Sequence, residues 1–283
     1  MPNKTAIIAL AICTIGIGPS APRAFAQEQA PPAVQSHASN SEEDTDEISA
    51  VPNRPTLATS GESVQRGVLE VEYGFEGGRG HQNINGLVKF GLFKNLELRF
   101  LHNPYERDGG IAAMGDCGAG FKWKIFQQKG ARPTVSLLYS AFLPTAGNGL
   151  GIGATSHQAL ILVSKDFGKQ HFDVNEGVNA LGRVGAGGYD RSYFSALSWS
   201  TSFTKKWGAT AEIAGFSRAS ADNPATLTLL AAPTYSPKSW IVFDAGAYYA
   251  VYGNYPRWTI FAGVTYAIAD LYHGRLANRS AHR

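Results

Sequence analysis

From about residue 66 onward, the chain alternates apolar and polar side chains with a period of two. In the first such segment Leu69, Val71 and Tyr73 alternate with Glu70 and Glu72. Successive side chains of a strand point to opposite faces, so this pattern predicts strands with one apolar and one polar face. The following predicted strands lie near residues 84–90, 96–100, 121–125, 133–142, 157–165, 170–179, 192–203, 207–216, 226–235, 239–250 and 257–268.

The connections between the predicted strands alternate in kind. The short ones each carry a lysine and lie at residues 93–95, 128–130, 168–170, 205–206 and 237–239. The others are longer or richer in glycine and polar residues, at 76–83, 103–115, 143–156, 180–190, 217–225 and 251–256. Short periplasmic turns and long extracellular loops are typical of bacterial outer-membrane barrels, which have an even number of strands. We therefore predict an all-β fold, an antiparallel up-and-down transmembrane β-barrel of about twelve strands over residues 66–268.

Aromatic residues end many of the apolar faces, near the predicted membrane boundaries. They are Tyr73, Phe75, Phe100, Trp123, Trp199, Phe203, Trp207, Trp240, Trp258 and Tyr266. Rings with an apolar body and a polar edge prefer the membrane interface and form the aromatic girdles of such barrels. The alternative is that they are core aromatics of a soluble barrel, which would make the protein a periplasmic ligand-binding barrel.

The N-terminus has the three parts of a secretory signal peptide. Lys4 provides a positive charge, residues 5–18 form an apolar core too short to span a membrane, and residues 24–26 are an Ala-x-Ala cleavage site. We predict that residues 1–26 are a signal peptide that is removed on export. The mature chain then keeps a single cysteine, Cys117, and no internal disulfide, which fits a Gram-negative envelope.

Composition changes sharply between the signal peptide and the first strand. Residues 27–53 contain six carboxylates and no Lys or Arg, and they are rich in Ala, Pro, Ser and Gln. Such a segment buries too little apolar surface to offset its ordering entropy, so we predict a disordered acidic leader and linker over 27–65. The basic excess that follows is scattered without forming a stripe, so no nucleic-acid partner is expected.

Several phrases of the chain are informative in their order and spacing: residues 54–55, 67–74, 89–99, 132–133, 142–145, 173–177, 211–215, 244–247, 258 and 263–266. Together they resemble the outer-membrane "MetA pathway of phenol degradation" family. The resemblance implies an outer-membrane β-barrel that acts as a passive channel or transporter for small, often aromatic or apolar, molecules. It supplies no catalytic residues and no cofactor.

The C-terminus departs from the pattern of such barrels, which usually end on an aromatic residue that the barrel-assembly machinery reads. Here Ile268 stands at that place, and a basic tail over residues 269–283 follows. Tyr272 is an alternative end for a longer last strand.

Ten charged residues have the parity of the polar face and are predicted to face the lumen. They are Glu70, Glu72, Lys89, Glu97, Arg99, Lys122, Lys124, Asp173, Glu212 and Asp244. A charge on the lipid face costs up to a few kcal/mol at mid-depth, so the interior is where these side chains belong. Two hypotheses remain open: a polar constriction that selects permeants, or a salt-bridged plug that fills a narrow barrel.

Enzymatic and metal chemistry find little support in the sequence. Ser156 and His157 are adjacent, so on a strand they point to opposite faces and cannot form a nucleophile–base pair. The histidines show no ligand spacing. The glycine-rich residues 147–153 lack the Lys and Ser or Thr of a phosphate loop and are predicted to form a flexible extracellular loop. We expect no enzyme, no metal site and no cofactor.

The function hypotheses are a passive outer-membrane channel, or a non-conducting structural or interaction barrel whose acidic leader docks a periplasmic partner. The expected location is the cell outer membrane of a Gram-negative bacterium. The expected partners are outer-membrane lipid, the barrel-assembly machinery and an unidentified small-molecule solute.

Overall fold

The computed structural model describes residues 47–221, 223–253 and 256–277. The predicted signal peptide, residues 27–46 of the leader and residues 278–283 of the tail lie outside this described part. So do Asp222 and residues 254–255, in two of the predicted loops.

Within the described residues, twelve long antiparallel strands form one closed sheet. They are β1 (Val68–Gly78), β2 (His81–Phe93), β3 (Leu96–Asp108), β5 (Cys117–Phe126), β6 (Thr134–Leu143), β7 (Ser156–Phe167), β8 (Gln170–Gly182), β9 (Tyr189–Ser202), β10 (Trp207–Phe216), β11 (Thr226–Lys238), β12 (Ile241–Tyr252) and β13 (Trp258–Asp270). Two short strands, β4 (Ile111–Ala113) and β14 (Arg275–Leu276), pair with β3 and β13. Each long strand pairs with the next, and β1 pairs with β13, which closes the barrel. The predicted all-β, twelve-stranded antiparallel barrel is confirmed.

No helix among the described residues has the length and apolar character needed to cross a membrane.

The strands extend further than the alternation indicated, most clearly in the first hairpin. Only Arg79 and Gly80 separate β1 from β2, where the sequence predicted a connection over 76–83. Gly80 has a φ of 80°, a left-handed conformation that suits glycine in a two-residue hairpin turn. Pairing continues through Glu76 and Asn83 at this end of the hairpin. Both are polar, so apolar alternation could not reveal this part of the strands.

The outer wall of the barrel is apolar. Ile161, Leu197, Phe243 and Ile260 lie on it with 55%, 47%, 42% and 64% of their surface exposed. Of the ten predicted girdle aromatics, eight are among the exposed large side chains, while Trp240 and Tyr266 are half-buried with ring centroids 5.4 Å apart. A soluble barrel would turn these faces inward, so this arrangement suits a lipid environment.

The segment preceding β1, residues 47–66, folds into the barrel interior; we call it the plug segment. It enters at the end of the barrel that carries the short turns, where Ala50 N donates to Ser239 O (2.9 Å). It leaves at the same end, where Arg66 bridges to Gly91. Residues 52–61 are all buried. The described part of the predicted leader, 47–65, thus differs from the expected disorder, because the barrel wall supplies partners that the composition of the segment does not reveal.

The end of the chain turns back onto the short-turn end of the barrel. β13 ends at Asp270, two residues beyond the predicted boundary, and Tyr272 lies outside the strand. The Tyr272 hydroxyl donates to Leu92 O (3.0 Å), and its ring lies under the Arg66 guanidinium. Residues 269–270 of the predicted tail thus belong to β13, and residues 271–277 pack on the rim.

Candidate functional site

Wall carboxylates hold the plug segment by accepting hydrogen bonds from its backbone. Glu212, on β10, accepts from Leu57 N (2.8 Å) and Ala58 N (2.6 Å). Three further wall glutamates act in the same way: Glu70 accepts from Val51 N (2.7 Å), Glu72 from Asn53 N (2.8 Å) and Glu97 from Val64 N (2.9 Å). A coil inside a barrel has no neighbouring strand with which to pair its backbone. These carboxylates therefore accept hydrogen bonds from backbone N–H groups that would otherwise donate to water.

Wall donors serve the carbonyl groups of the same segment. Lys89 Nζ donates to Val51 O (2.5 Å), and Lys122 Nζ donates to Ser60 O (3.2 Å). The Tyr248 hydroxyl donates to Pro55 O (2.7 Å). On β8, Asn175 does both, since its Oδ1 accepts from Thr59 N (2.6 Å) and its Nδ2 donates to Thr59 O (2.9 Å). The lumen is thus complementary to an uncharged stretch of backbone.

Two ion pairs fix the two limbs of the plug segment. On the entering limb, Arg54 Nε lies 3.1 Å from Asp244 Oδ2, and both side chains are almost fully buried. On the returning limb, Glu62 Oε2 lies 2.9 Å from Lys124 Nζ. Burial raises the pKa of the Glu62 carboxyl, but the Lys124 charge and the hydrogen bonds from Lys124, Thr134 and Gln127 lower it more. The net pKa lies below its ordinary value of 4.5, so this carboxylate is charged at neutral pH.

Glycines in the wall create the space that the Arg54 side chain occupies. Gly74 on β1 pairs with Gly263 on β13, directly at the seam where the barrel closes. A Cβ at either position would overlap the Arg54 guanidinium. Asp244 is the register partner of Gly263 on the other side. Arg54 therefore spans the seam from β1 to β12, and a side chain at either seam position would displace its guanidinium from this place.

The remaining predicted lumen charges complete a buried network. Lys89 Nζ lies 2.5 Å from both Glu70 Oε1 and Glu72 Oε1. Arg99 Nη1 lies 2.8 Å from Glu97 Oε1, and Lys122 Nζ lies 3.6 Å from Glu97 Oε2. Asp173 stands apart from the plug segment and accepts from Ser164 Oγ, Ser198 Oγ and His171.

The structure places all ten predicted lumen side chains on the inner wall. A role for them in permeation stays a prediction, since nine of them contact the plug segment or each other and Asp173 accepts from Ser164, Ser198 and His171. Sequence reasoning missed the plug segment itself, with Arg54 and Glu62, and the uncharged wall partners Asn175 and Tyr248. One feature of the sequence could have indicated the segment. After the acidic stretch, Arg54 and Glu62 flank residues 55–61, which carry no charge.

The other half of the lumen, toward the longer loops, has two unlike sectors. A polar sector on β1–β3 presents Glu76, Asn83, Asn85, Asn103 and Glu106, all on the inner wall. An apolar sector on β9–β13 presents Phe194, Phe216, Leu230, Tyr248 and Phe261. In a twelve-stranded barrel, β2 and β9 lie about six strands apart, so Phe194 and Phe216 on β9 and β10 face the polar sector across the lumen. At its other end the apolar sector adjoins the polar one, since Phe261 on β13 is the register partner of Glu76.

The arrangement contains no catalytic constellation at the positions considered from sequence. Ser156 is buried on the inner wall, whereas the His157 ring lies on the outer wall between the hydroxyls of Tyr139 (2.8 Å) and Tyr189 (3.3 Å). Among the described residues, no three His, Cys, Asp or Glu side chains are placed to hold a metal ion. The glycine-rich loop is anchored by Asp116, whose carboxylate accepts backbone N–H groups around both of its ends.

Three solved structures resemble this fold. They are the NanC porin (12% identity, TM-score 0.54, covering 70% of this chain and 98% of that chain), the KdgM porin (8%, 0.52, 70% and 99%) and the COG4313 outer membrane channel from Pseudomonas putida F1 (12%, 0.56, 72% and 97%). No family model and no curated protein matches the chain. At these identities the likeness shows the fold. The chain has the barrel of outer-membrane porins and channels.

Proposed function

We propose that this protein is a passive outer-membrane channel for small molecules whose lumen is closed from the periplasmic side by its own plug segment. The observation that carries the proposal is the closed barrel with an apolar outer wall and a charged inner wall. That inner wall binds a stretch of the chain which enters and leaves at one end. The short turns then lie in the periplasm and the longer loops outside the cell.

Three lines of argument support the outer-membrane location and the channel role. The exposed aliphatic and aromatic side chains of the wall suit lipid rather than water. The chain begins with a predicted export signal. The similar structures carry the names of porins and of an outer membrane channel. The soluble periplasmic barrel is the weaker alternative, because it would expose these apolar side chains to water.

The two hypotheses for the lumen charges merge in this proposal. The charges build a plug, as one hypothesis held, but the plug is a separate segment of chain and not the wall charges alone. Since that segment is attached to β1 at only one end, it can leave without unfolding the barrel. The wall charges that it releases then form the polar constriction of the other hypothesis.

For the solute we propose a small molecule with an aromatic or apolar body and hydrogen-bonding groups. The resemblance to the MetA pathway of phenol degradation family suggested aromatic or apolar molecules. The unlike sectors of the outer half of the lumen fit that class. Phe194 and Phe216 offer apolar contacts on one side, and Asn83 and Asn103 present side-chain oxygens that have no partner among the described residues on the other.

A non-conducting structural barrel is the second candidate, and the plug segment is the observation that favours it. Each charge-assisted hydrogen bond contributes about 1.5–3 kcal/mol, and the segment makes several of them. A permanently docked segment would make the barrel a scaffold that presents its acidic leader to a periplasmic partner.

Conductance in planar bilayers separates the two candidates. The purified mature protein is reconstituted, and current is recorded together with liposome swelling for small sugars and for small aromatic solutes. A channel gives discrete current steps and faster swelling with at least one solute class. Absence of current, with no swelling in any solute, would leave the structural barrel as the better account.

A further inference from the structure

The two ends of the barrel differ in their basic residues. The short-turn end carries both types: Lys94, Lys129, Lys165, Lys169, Lys205, Lys206 and Lys238, with Arg66, Arg132 and Arg275. The cations at the opposite end are all arginines: Arg79, Arg107, Arg183, Arg191, Arg218 and Arg257. Within the described residues of the barrel, that end has no lysine. A general need for positive charge would use both residue types, as the short-turn end does, so the use of arginine alone at the opposite end points to a ligand that distinguishes the two.

Three of these arginines, Arg191, Arg218 and Arg257, follow one another along the rim from β9 to β13; we call them the arginine arc. All three are exposed, and within the described part of the chain none of them has a carboxylate in ion-pair distance. Arg183 differs, because its Nε and Nη2 both donate to Asp190 Oδ1. The Arg218 Nε donates to Ser220 O (2.9 Å), and the guanidinium groups of the arc are otherwise available to an external ligand within the described residues.

Two members of the arc, Arg191 and Arg257, lie beside rings on the outer wall. Arg191 lies between Tyr189 and Tyr193, which are 46% and 63% exposed. The Arg257 guanidinium carbon lies 4.9 Å from the centre of the Tyr249 ring, and that ring lies 4.8 Å from the Trp258 ring. Rings of this kind mark the boundary between lipid chains and head groups, so the arc lies at the height of the head groups.

We propose that the arginine arc binds the phosphate groups of lipid A, the lipid of the outer leaflet in Gram-negative outer membranes. The inference rests on the proposed outer-membrane location. A guanidinium presents a planar pair of donors that matches a phosphate in a bidentate way, whereas an ammonium acts as a point charge. The ligand must also carry apolar chains, because exposed apolar residues such as Ile260 lie on the same wall below the arc. A phosphorylated glycolipid meets both conditions, and a free phosphate meets only the first.

The test compares the thermal shift of the purified barrel with three lipids in detergent, with a chelator present to remove bridging divalent cations. The lipids are lipid A, lipid A lacking its phosphates, and phosphatidylglycerol. Folded and unfolded barrel are separated by heat-dependent gel mobility. We expect stabilisation by lipid A, and little by the other two.

Two sets of variants assign the effect to the arc. In Arg191→Gln/Arg218→Gln/Arg257→Gln, the apparent affinity for lipid A should fall about tenfold or more, as expected when bidentate contacts are lost. The matched control, Lys205→Gln/Lys206→Gln/Lys238→Gln, removes the same charge from the other end and should bind lipid A as the unmodified barrel does. The same three arginines changed to lysine should restore only part of the affinity. Equal stabilisation by phosphatidylglycerol, or lipid A binding that the glutamine set leaves intact, would overturn the proposal.

The conductance of the arc variants separates this inference from the proposed function. In bilayers without lipid A, the glutamine set should conduct as the unmodified barrel does, since the arc lies outside the lumen. A barrel that binds lipid A through the arc but never conducts would refute the channel and leave the lipid site standing.

Discussion

Glu212 offers the sharpest test of how the plug segment is held. Its buried carboxylate accepts two backbone hydrogen bonds, from Leu57 N and Ala58 N. In Glu212→Gln the side chain keeps its shape, but it has one acceptor oxygen and an NH₂ group that faces a backbone N–H. One charge-assisted bond is lost and one buried donor stays unpaired. Together these changes should weaken docking by about 3 kcal/mol.

Hydrogen exchange measured by mass spectrometry reports that weakening directly. A loss of about 3 kcal/mol raises the open population of the segment roughly a hundredfold, since 1.4 kcal/mol is a factor of ten. Amides of the plug segment that exchange through this opening should then exchange about a hundred times faster, while the strand amides keep their rates. Peptides that cover residues 50–66 are the ones to follow.

Glu176→Gln is the matched control, because it makes the same chemical change on the outer wall, where Glu176 accepts from Ser195 Oγ (2.6 Å) and from no other described residue. Its plug-segment peptides should exchange at the unmodified rate. If Glu212→Gln left exchange unchanged or slowed it, the desolvation of the buried carboxylate would outweigh its hydrogen bonds. The wall charges would then not be what holds the segment.

Three further predictions follow from the same contacts. Gly263→Ala places a methyl group where Arg54 lies, so it should weaken docking of the plug segment by roughly 3 kcal/mol and accelerate hydrogen exchange of the segment. Gly187→Ala, whose methyl group meets open space, should leave the exchange rate unchanged. Docking lowers the pKa of Glu62, so the contribution of this carboxylate to docking is present above pH 4.5 and is lost as the pH falls through the pKa of the docked state. Hydrogen exchange of the plug segment should accelerate in that pH range. An unaltered pH profile in Glu62→Gln would contradict this. Ile213→Arg on the lipid-facing wall, where the register partners are Leu197 and Leu229, should lower the free energy of unfolding in vesicles by about 2–4 kcal/mol if the residue lies at mid-depth, whereas Ile213→Leu should have little effect.

The barrel was predictable from sequence because each strand carries its own signal. Alternation in β1, with Leu69, Val71 and Tyr73 outside and Glu70 and Glu72 inside, follows from the geometry of a single strand. The same geometry assigned the inward face of all ten lumen charges. Strand ends were less predictable where both faces are polar, as at Glu76 and Asn83.

The plug segment was not predictable, because its order depends on partners far away in sequence. Residues 52–61 hold little apolar surface, and composition alone therefore indicates disorder. Their burial is made possible by Glu212, Asn175 and Tyr248, which are more than a hundred residues away and reach the segment only once the barrel has closed. The sequence shows the charged residues of the wall, but not that they form hydrogen bonds with the backbone of the plug segment.

The central claim is that solutes pass only when the plug segment leaves the lumen. A reversible covalent lock tests it most directly. An ideal Cβ on Gly61 lies 3.2 Å from Ser164 Oγ, so cysteines at these two positions are within reach of a disulfide. The pair is introduced in a Cys117→Ser background, and Gly61→Cys alone serves as the control.

Single-channel recording of this locked barrel, before and after a reducing agent is added to the same bilayer, gives the answer. We predict no conductance in the oxidised state and unmodified current steps after reduction, with the control conducting in both states. Equal conductance in the oxidised and reduced states would show that solutes pass beside the docked segment, and the account of a movable plug would be wrong.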